Sequence, residues 1–383
     1  MNLTRPVPHL WLKTDSKLRR TGMSVRNIAR SILIYVLPLL LTGCGAYRTA
    51  SMPPPAGAAR FAFVANSLSN SISSYAIDPQ TGRLSPKETV PTGGLSSRVI
   101  AVEPSGHFAY VGNVISNDIS VFSIDANTGR LSMVGSPVPA GNGPRFIAVG
   151  PTGNILYAVN QQANNISGFS INPGTGALTP LVGTVPTDEA PVELRFHPSG
   201  HFAYVANFNS SDITVYRVDS SGALGLLGAV PARLSPSSIS MHPSGRFAYV
   251  ANLSSNDVTT FSIDQASGGL TPLTPPVSSG DGPTSITVDP QGRFAYVTNA
   301  IDGSISVFAI DGATGALTRT STAVAGTNPV ALTFDTSGRF AYVANVGSDN
   351  ITVFTVDSNT GALIPAGPPV DAVTGPASVA LIR

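Results

Sequence analysis

One strand ending recurs seven times along the chain. Asn66, Asn113, Asn160, Asn207, Asn252, Asn299 and Asn345 each close a Tyr-Val-Ala-Asn-like run, at intervals of 45–47 residues. Self-similarity at such a period marks a stack or ring of identical supersecondary units. The copy over residues 283–328 shows what the unit is. Residues 285–289 (SITVD) form strand A, and Pro290-Gln291-Gly292-Arg293 turns the chain. Residues 294–298 (FAYVT) form strand B, 305–310 (ISVFAI) strand C, and strand D begins near Leu317. These runs are short and rich in Val, Ile, Phe and Tyr, and no window sustains helical spacing. Four antiparallel strands make one blade, so seven copies predict an all-β, seven-bladed β-propeller over residues 60–383.

The two ends of the repeat region support closure of the ring. Its first copy enters at strand B (60–66), whereas residues 376–383 (PASVALIR) match strand A with no strand B after them. The C-terminal strand is therefore expected to join the N-terminal blade, which removes a free sheet edge. An outer-membrane barrel would need strands of ~10 residues with a lipid-facing side. The shorter strands and the 47-residue punctuation argue against it.

Before residue 60 the pattern changes. Residues 32–41 (ILIYVLPLLL) are apolar but too short for a span of ~20 residues. Arg26 and Arg30 precede them, and small residues follow, as in a secretory signal. Leu41-Thr42-Gly43-Cys44 resembles the bacterial lipobox, which implies cleavage before Cys44 and lipidation there. Residues 1–43 thus read as leader and lipoprotein signal peptide, with Met23 as an alternative start. Residues 44–59 read as the lipidated Cys44 and a Pro-rich tether. The expected location is the cell envelope, anchored through Cys44. In a Gram-negative host, Gly45 rather than Asp after the cysteine favours the outer membrane. Cys44 is the only cysteine, so disulfides, Cys-based zinc sites and Cys–His catalysis are excluded in the body.

The formal charge of +1 conceals an asymmetry. Residues 1–43 hold seven Lys/Arg and one acid, leaving 15 bases and 20 acids, a net of −5, in the remainder. Lys87 is the only lysine there, and no basic stripe exists for a phosphate backbone, so nucleic acid is not an expected partner.

Tyr296-Val297-Thr298-Asn299, with Pro-x-Gly-Arg-Phe-Ala before it, resembles the YVTN-type repeats. The wider body, 60–383, resembles the seven-bladed lactonase propellers, the 6-phosphogluconolactonase-like family. The resemblance implies a site at one end of the central channel. Members often carry a Pro-Arg-His element at the start of an inner strand. Its best match is Pro144-Arg145-Phe146, which keeps the Arg and has Phe for His; the next copy has Pro191-Val192-Glu193. Members also often have Glu after the strand-B Asn of that later blade, where this chain has Phe208.

The seven copies serve as an internal control. Asp78, Asp125, Asp219, Asp264, Asp311 and Asp357, with Asn172, recur after strand C and read as Asx turns. They lack the alternating ligands and distal Glu of a calcium loop. The marker Asn residues are expected to tie the B–C turn. His107, His197, His201 and His242 sit beside A–B turns, a repeated and expectedly solvated place. No metal or cofactor is expected.

Two slots on strand A break the pattern. The slot two after the lead residue holds Val99, Phe146, Glu193, Ser238, Ser285, Ala331 and Ser378; the slot four after it holds Arg195 where other copies have small residues. Glu193 and Arg195 point the same way. Arg98 and Arg145 stand one after the lead, where other copies are small or apolar. The loops of the variable face add Asp188, Glu189, Arg233 and Asp281. Guanidinium groups here suit a carboxylate or phosphate. Alternatively, Glu193 and Arg195 form a structural pair between blades.

Two functions follow. The first is a lipid-anchored binding or interaction module, monomeric, taking a small acidic ligand or an envelope protein or glycan. It rests on the regular blades, the missing His and the lack of a nucleophile–base pair. The alternative is a lactonase acting on a small acidic lactone. Arg145 and Arg98 would then hold the anionic group or polarise the carbonyl, and Glu193 would be the general base. Arg195, Arg233, Asp188, Glu189 and Asp281 would contribute to ligand binding. A redox propeller has no Cys-x-x-Cys-His to support it.

Overall fold

Seven hexapeptides, from Phe61–Asn66 to Phe340–Asn345, are buried along their whole length. Strands of this kind lack polar–apolar alternation because both of their faces are covered. The computed structural model describes residues 59–382 and shows why. Each hexapeptide is the second strand of a four-stranded antiparallel blade, and seven such sheets make up the domain. In blade 6 the strands are Pro283–Val288, Phe294–Asn299, Ser304–Ile310 and Leu317–Val324, each paired to the next. The expected leader, Met23 start, Cys44 and tether up to residue 58 lie outside the described residues.

Ring closure is as the ends of the sequence predict. Pro376–Ile382 pairs antiparallel with Phe61–Asn66, Phe61 opposite Ile382 and Val64 opposite Val379. Blade 1 therefore takes its innermost strand from the C-terminus. Blades 2 to 7 follow in chain order, starting at Ser97, Pro144, Pro191, Pro236, Pro283 and Pro329.

The outermost strands face solvent. In blades 2 and 7 they are split, into Leu131–Met133 with Val138–Pro139 and Leu363–Pro365 with Val370–Asp371. Gly135 with Pro137, and Gly367 with Pro368 and Pro369, interrupt them. Proline cannot donate to the ladder and is confined to such edges.

The core is divided rather than central. Among the described residues seven apolar clusters form, each drawing on two consecutive blades. A second device locks neighbours together. Gly82 of blade 1, at φ 70°, lies against the Phe340 ring of blade 7, and its carbonyl accepts the Tyr342 hydroxyl at 3.0 Å. The same glycine–aromatic seat recurs around the ring, as with Gly176 on Phe108.

The marker asparagines act as expected. Each is fully buried, and its amide nitrogen donates five and seven residues onward, as Asn299 does to Ser304 and Ser306 at 3.0 Å. The Asx turns are also present: Asp311 accepts the N–H groups of Ala313 and Thr314 at 2.8 and 3.0 Å.

One expectation needs correction. His197 and His242 are not solvated; they are 4% and 8% exposed. Their Nε2 atoms sit 2.8 Å from the carbonyls of Gly245 and Gly292 in the next blade. The turns beside them are exposed, as the sequence suggests, but the turn of the next blade covers the two imidazoles. His107 and His201 do face solvent.

Candidate anion site in the central channel

The first strands of all seven blades surround a channel of about 630 Å³. Its wall is mainly Val, Ile, Ala, Ser and Thr, with Phe146, Phe196 and Phe208. The charged residues in the lining are Arg98, Arg145, Glu193 and Arg195, so the structure brings these four sequence candidates together.

Backbone geometry aims the first two. At the start of every inner strand the register shifts: Ser97 pairs with Asn113 and Val99 with Gly112, which leaves Arg98 as the extra residue of a bulge. Arg145 is the extra residue of the next blade, between Pro144 and Phe146. A bulge re-aims one side chain out of the ladder. In blades 5 and 6 the same position is Ser237 and Thr284, whose hydroxyls bond the carbonyls of Pro283 and Pro329 at 2.7 and 2.8 Å. An arginine is too long for that seat and reaches into the channel instead.

Neither guanidinium has a hydrogen-bond or ion-pair partner among the described residues. Burial lowers the pKa of Arg98. Burial also lowers that of Arg145, the like charge of Arg98 adds to this, and Glu193 opposes it. Two uncompensated cations in a channel wall make a positive centre that a bound anion would relieve.

Glu193 is differently placed. It is 6% exposed, and Arg195 Nη2 lies 2.5 Å from its Oε1. Its Oε2 accepts the N–H of Ile239 in the next blade at 3.1 Å. Ser238 holds the same seat one blade on, accepting the N–H of Ile286 at 3.1 Å. Glu193 is thus a tie between blades 4 and 5, with both oxygens engaged. The guanidinium of Arg195 also stacks 5.2 Å from the centre of the Phe146 ring, a cation–π contact. That role of Phe146 was missed in the sequence, although its bulk at a mostly small slot was a signal.

The remaining candidates do not line the channel. Arg233 pairs with Asp257 at 2.7 Å. Asp188 faces the Thr214 hydroxyl at 3.4 Å. Glu189 is exposed, and its carbonyl accepts the N–H of Asn209. Asp281 accepts from Asn256 Nδ2 at 3.1 Å. The single mouth cluster expected from the sequence is therefore two separate sets. The loops are held back by the adjoining turns, as where Asn164 Oδ1 accepts the Ala190 N–H at 2.9 Å and Asn256 Oδ1 that of Gly282 at 2.9 Å. No group of three or more His, Cys, Asp or Glu side chains converges among the described residues.

Comparison with known proteins agrees with this architecture. The family model for lactonase, 7-bladed beta-propeller, matches residues 58–192, 138–283 and 273–380. No curated protein matches by sequence. Among solved structures, a Bacteroides fragilis protein assigned as a 6-phosphogluconolactonase is similar with a TM-score of 0.76 and 19% identity, covering 86% of this chain and 99% of that one. A Pseudomonas aeruginosa periplasmic gluconolactonase is similar with a TM-score of 0.75 and 21% identity, covering 84% and 99%. A Lactobacillus plantarum protein gives 0.75 and 21%, covering 85% and 100%.

Proposed function

This chain belongs to the lactonase family of seven-bladed β-propellers, and within that family we propose that it binds a small acidic ligand in its channel, between Arg98 and Arg145. The observation that carries the reading is the pair of unpartnered arginines on adjacent bulges. A carboxylate or phosphate would accept charge-assisted hydrogen bonds from both guanidinium groups and cancel their repulsion. Sugar acids and their lactones combine such a group with hydroxyls, which the Ser and Thr residues of the wall can meet.

A second reading, lactone hydrolysis, is favoured by the Glu193 carboxylate in the same lining. Arg98 and Arg145 would hold the anionic group or polarise the ester carbonyl. Glu193 would take a proton from water once Arg195 swings away, freeing Oε1. Its two existing bonds make binding the first reading.

We also propose a lipid-anchored place in the cell envelope, supported by Leu41-Thr42-Gly43-Cys44 behind an apolar run. Membrane fractionation of wild type and Cys44→Ser tests it. Equal release of both to the soluble fraction would overturn it.

Titration calorimetry with gluconate and 6-phosphogluconate, beside a pH-stat assay on their lactones, tests the channel. Binding that disappears in Arg98→Ala/Arg145→Ala supports the first reading. Turnover that disappears in Glu193→Gln makes the protein a hydrolase. Neither binding nor turnover in the wild type removes both readings.

A further inference from the structure

The ring of bulge residues at the channel mouth is divided by chemistry. Blades 2 and 3 place Arg98 and Arg145 there. The other five blades place no charge. Val192, Val330 and Ala377 are apolar. Ser237 and Thr284 already donate their hydroxyl protons to carbonyls, which leaves only lone pairs for a ligand. An anion therefore has its seat on two adjacent blades, and the rest of the ring offers it no second cation.

A second set of side chains lies at the same end. The residue after each marker asparagine leaves strand B at the mouth. In blades 4 and 5 it is Phe208 and Leu253, where the other copies have Ser, Val, Gln, Ala and Val. The Phe208 N–H donates to the Ala190 carbonyl at 2.9 Å, and that of Leu253 to the Ser235 carbonyl at 2.8 Å. Each carbonyl immediately precedes an inner strand, at Pro191 and Pro236. Both side chains are thus held near the level of the bulges. Both are half-buried and both line the channel.

Phe208 differs from the two other phenylalanines of the lining. The Phe146 ring is stacked by the Arg195 guanidinium at 5.2 Å, and the Phe196 ring lies 5.3 Å from that of Tyr157. Phe208 has neither a cation nor a second ring against it among the described residues. It packs on the apolar cluster that contains Val192 and Ile213, which gives it a firm seat, and leaves part of its ring open to the channel.

We infer that the channel takes an amphipathic acid, with its anionic group on Arg98 and Arg145 and an apolar group of aryl size on Phe208 and Leu253. The inference rests on the acid-binding reading of the arginine pair and names the class of acid: a sugar acid that carries an aryl substituent. An aromatic substituent gains from the open Phe208 ring by offset or edge-to-face contact and by loss of apolar surface to water. A bare sugar acid makes the arginine contacts alone and leaves Phe208 wet. The channel, at about 630 Å³, is within the range of about 300–1,000 Å³ for sites that enclose drug-sized ligands, so it has room for both groups. Phe208 is then the residue that sets specificity, and the arginines set charge.

The test is titration calorimetry of the full-length protein with methyl β-D-glucuronide and phenyl β-D-glucuronide, which share the carboxylate and the hydroxyls and differ in the apolar group. The phenyl compound should bind the wild type about tenfold tighter. Phe208→Gln should bind the two alike, at the wild-type affinity for the methyl compound. Gln161 holds this slot in blade 3, so the fold accepts glutamine there, and retained binding of the methyl compound shows that the variant is folded. Arg98→Ala/Arg145→Ala should lose both ligands. Equal affinities in the wild type, or a phenyl preference that survives in Phe208→Gln, would overturn the inference and leave the acid-binding reading in place. Loss of both ligands in Phe208→Gln would also overturn it, by making Phe208 structural. No binding of either compound to the wild type, or phenyl binding that survives without the arginines, would remove the inference together with the reading beneath it.

Discussion

Arg195 and Glu193 stand two residues apart on one inner strand, with Nη2 and Oε1 separated by 2.5 Å, and the other Glu193 oxygen holds the Ile239 N–H across the blade boundary. An acid tied on both oxygens contributes to the ring before it contributes to chemistry. Glu193→Ala should therefore lose about 1–2 kcal/mol, since it leaves the Ile239 N–H unpaired and Arg195 without its partner. Arg195 is half exposed and can turn to water, which keeps the cost below that of a fully buried pair. Glu193→Gln keeps an acceptor for Ile239 and should lose less than about 1 kcal/mol. Chemical denaturation of both variants checks the order. Equal stability in wild type and Glu193→Ala would show that the tie is unimportant.

The channel arginines should behave in the opposite way. Arg145 sits near the charge of Arg98 with no hydrogen-bond partner of its own. Arg145→Met should thus raise the melting temperature by about 1–3 °C at low salt, a trade of stability against function. Adding phosphate should raise the wild-type value and leave the Arg98→Met/Arg145→Met protein unchanged. A melting temperature that falls in Arg145→Met would make this arginine structural.

The seam that closes the ring gives a backbone test. Gly82 has φ 70°, and a Cβ there would penetrate the Phe340 ring of the neighbouring blade. Gly82→Ala should cost about 2–4 kcal/mol from strain and overpacking together. Gly183 has a similar φ of 83° but nothing near its would-be Cβ, so Gly183→Ala should cost only about 1 kcal/mol. Equal losses at the two sites would show that the Phe340 contact does not matter.

Acid should act through the Asx turns. Backbone N–H donors lower the pKa values of Asp78, Asp125, Asp264, Asp311 and Asp357 below the ordinary 3.8. Groups lowered on folding give stability that is present above the unfolded value and is lost as pH falls through the folded ones. The loss should therefore fall below about pH 4. Changing these five to Asn should leave the neutral melting temperature nearly unchanged, since Asn172 already forms the same turn with N–H contacts of 2.9 and 3.1 Å. It should also flatten the acid limb of a melting-temperature profile from pH 7 to 2. A profile identical to wild type would place the acid sensitivity elsewhere.

Much of the site was legible because the chain carries its own comparison set. Glu193, Arg195, Arg98 and Arg145 stood out as departures from seven aligned strands, and all four line the channel. Asp188, Glu189, Arg233 and Asp281 were added from the loops of the variable face and do not. Slot comparison identifies the odd residue but not the direction of a loop, which depends on hydrogen bonds such as that from Ala190 to Asn164. The histidines show the same limit. His197 and His242 stand before the A–B turn and are sealed by the next blade, whereas His107 and His201 stand after it and face water, a difference in exposure that position beside a turn does not reveal.

The sequence by itself determined the blade, the number of blades and the closing strand. Strand propensity, turn residues and repeat period are local quantities, and seven copies average out their noise. Only the tertiary structure decided which charges meet. Arg195 finds Glu193 and the Phe146 ring, Arg233 finds Asp257, and Arg98 and Arg145 find no partner. The Arg195–Glu193 pair joins two residues of one strand and was open to the sequence as an alternative; the other outcomes depend on bulges and blade stacking, as where Arg195 of blade 4 meets the Phe146 ring of blade 3. No local pattern in the chain encodes such distances.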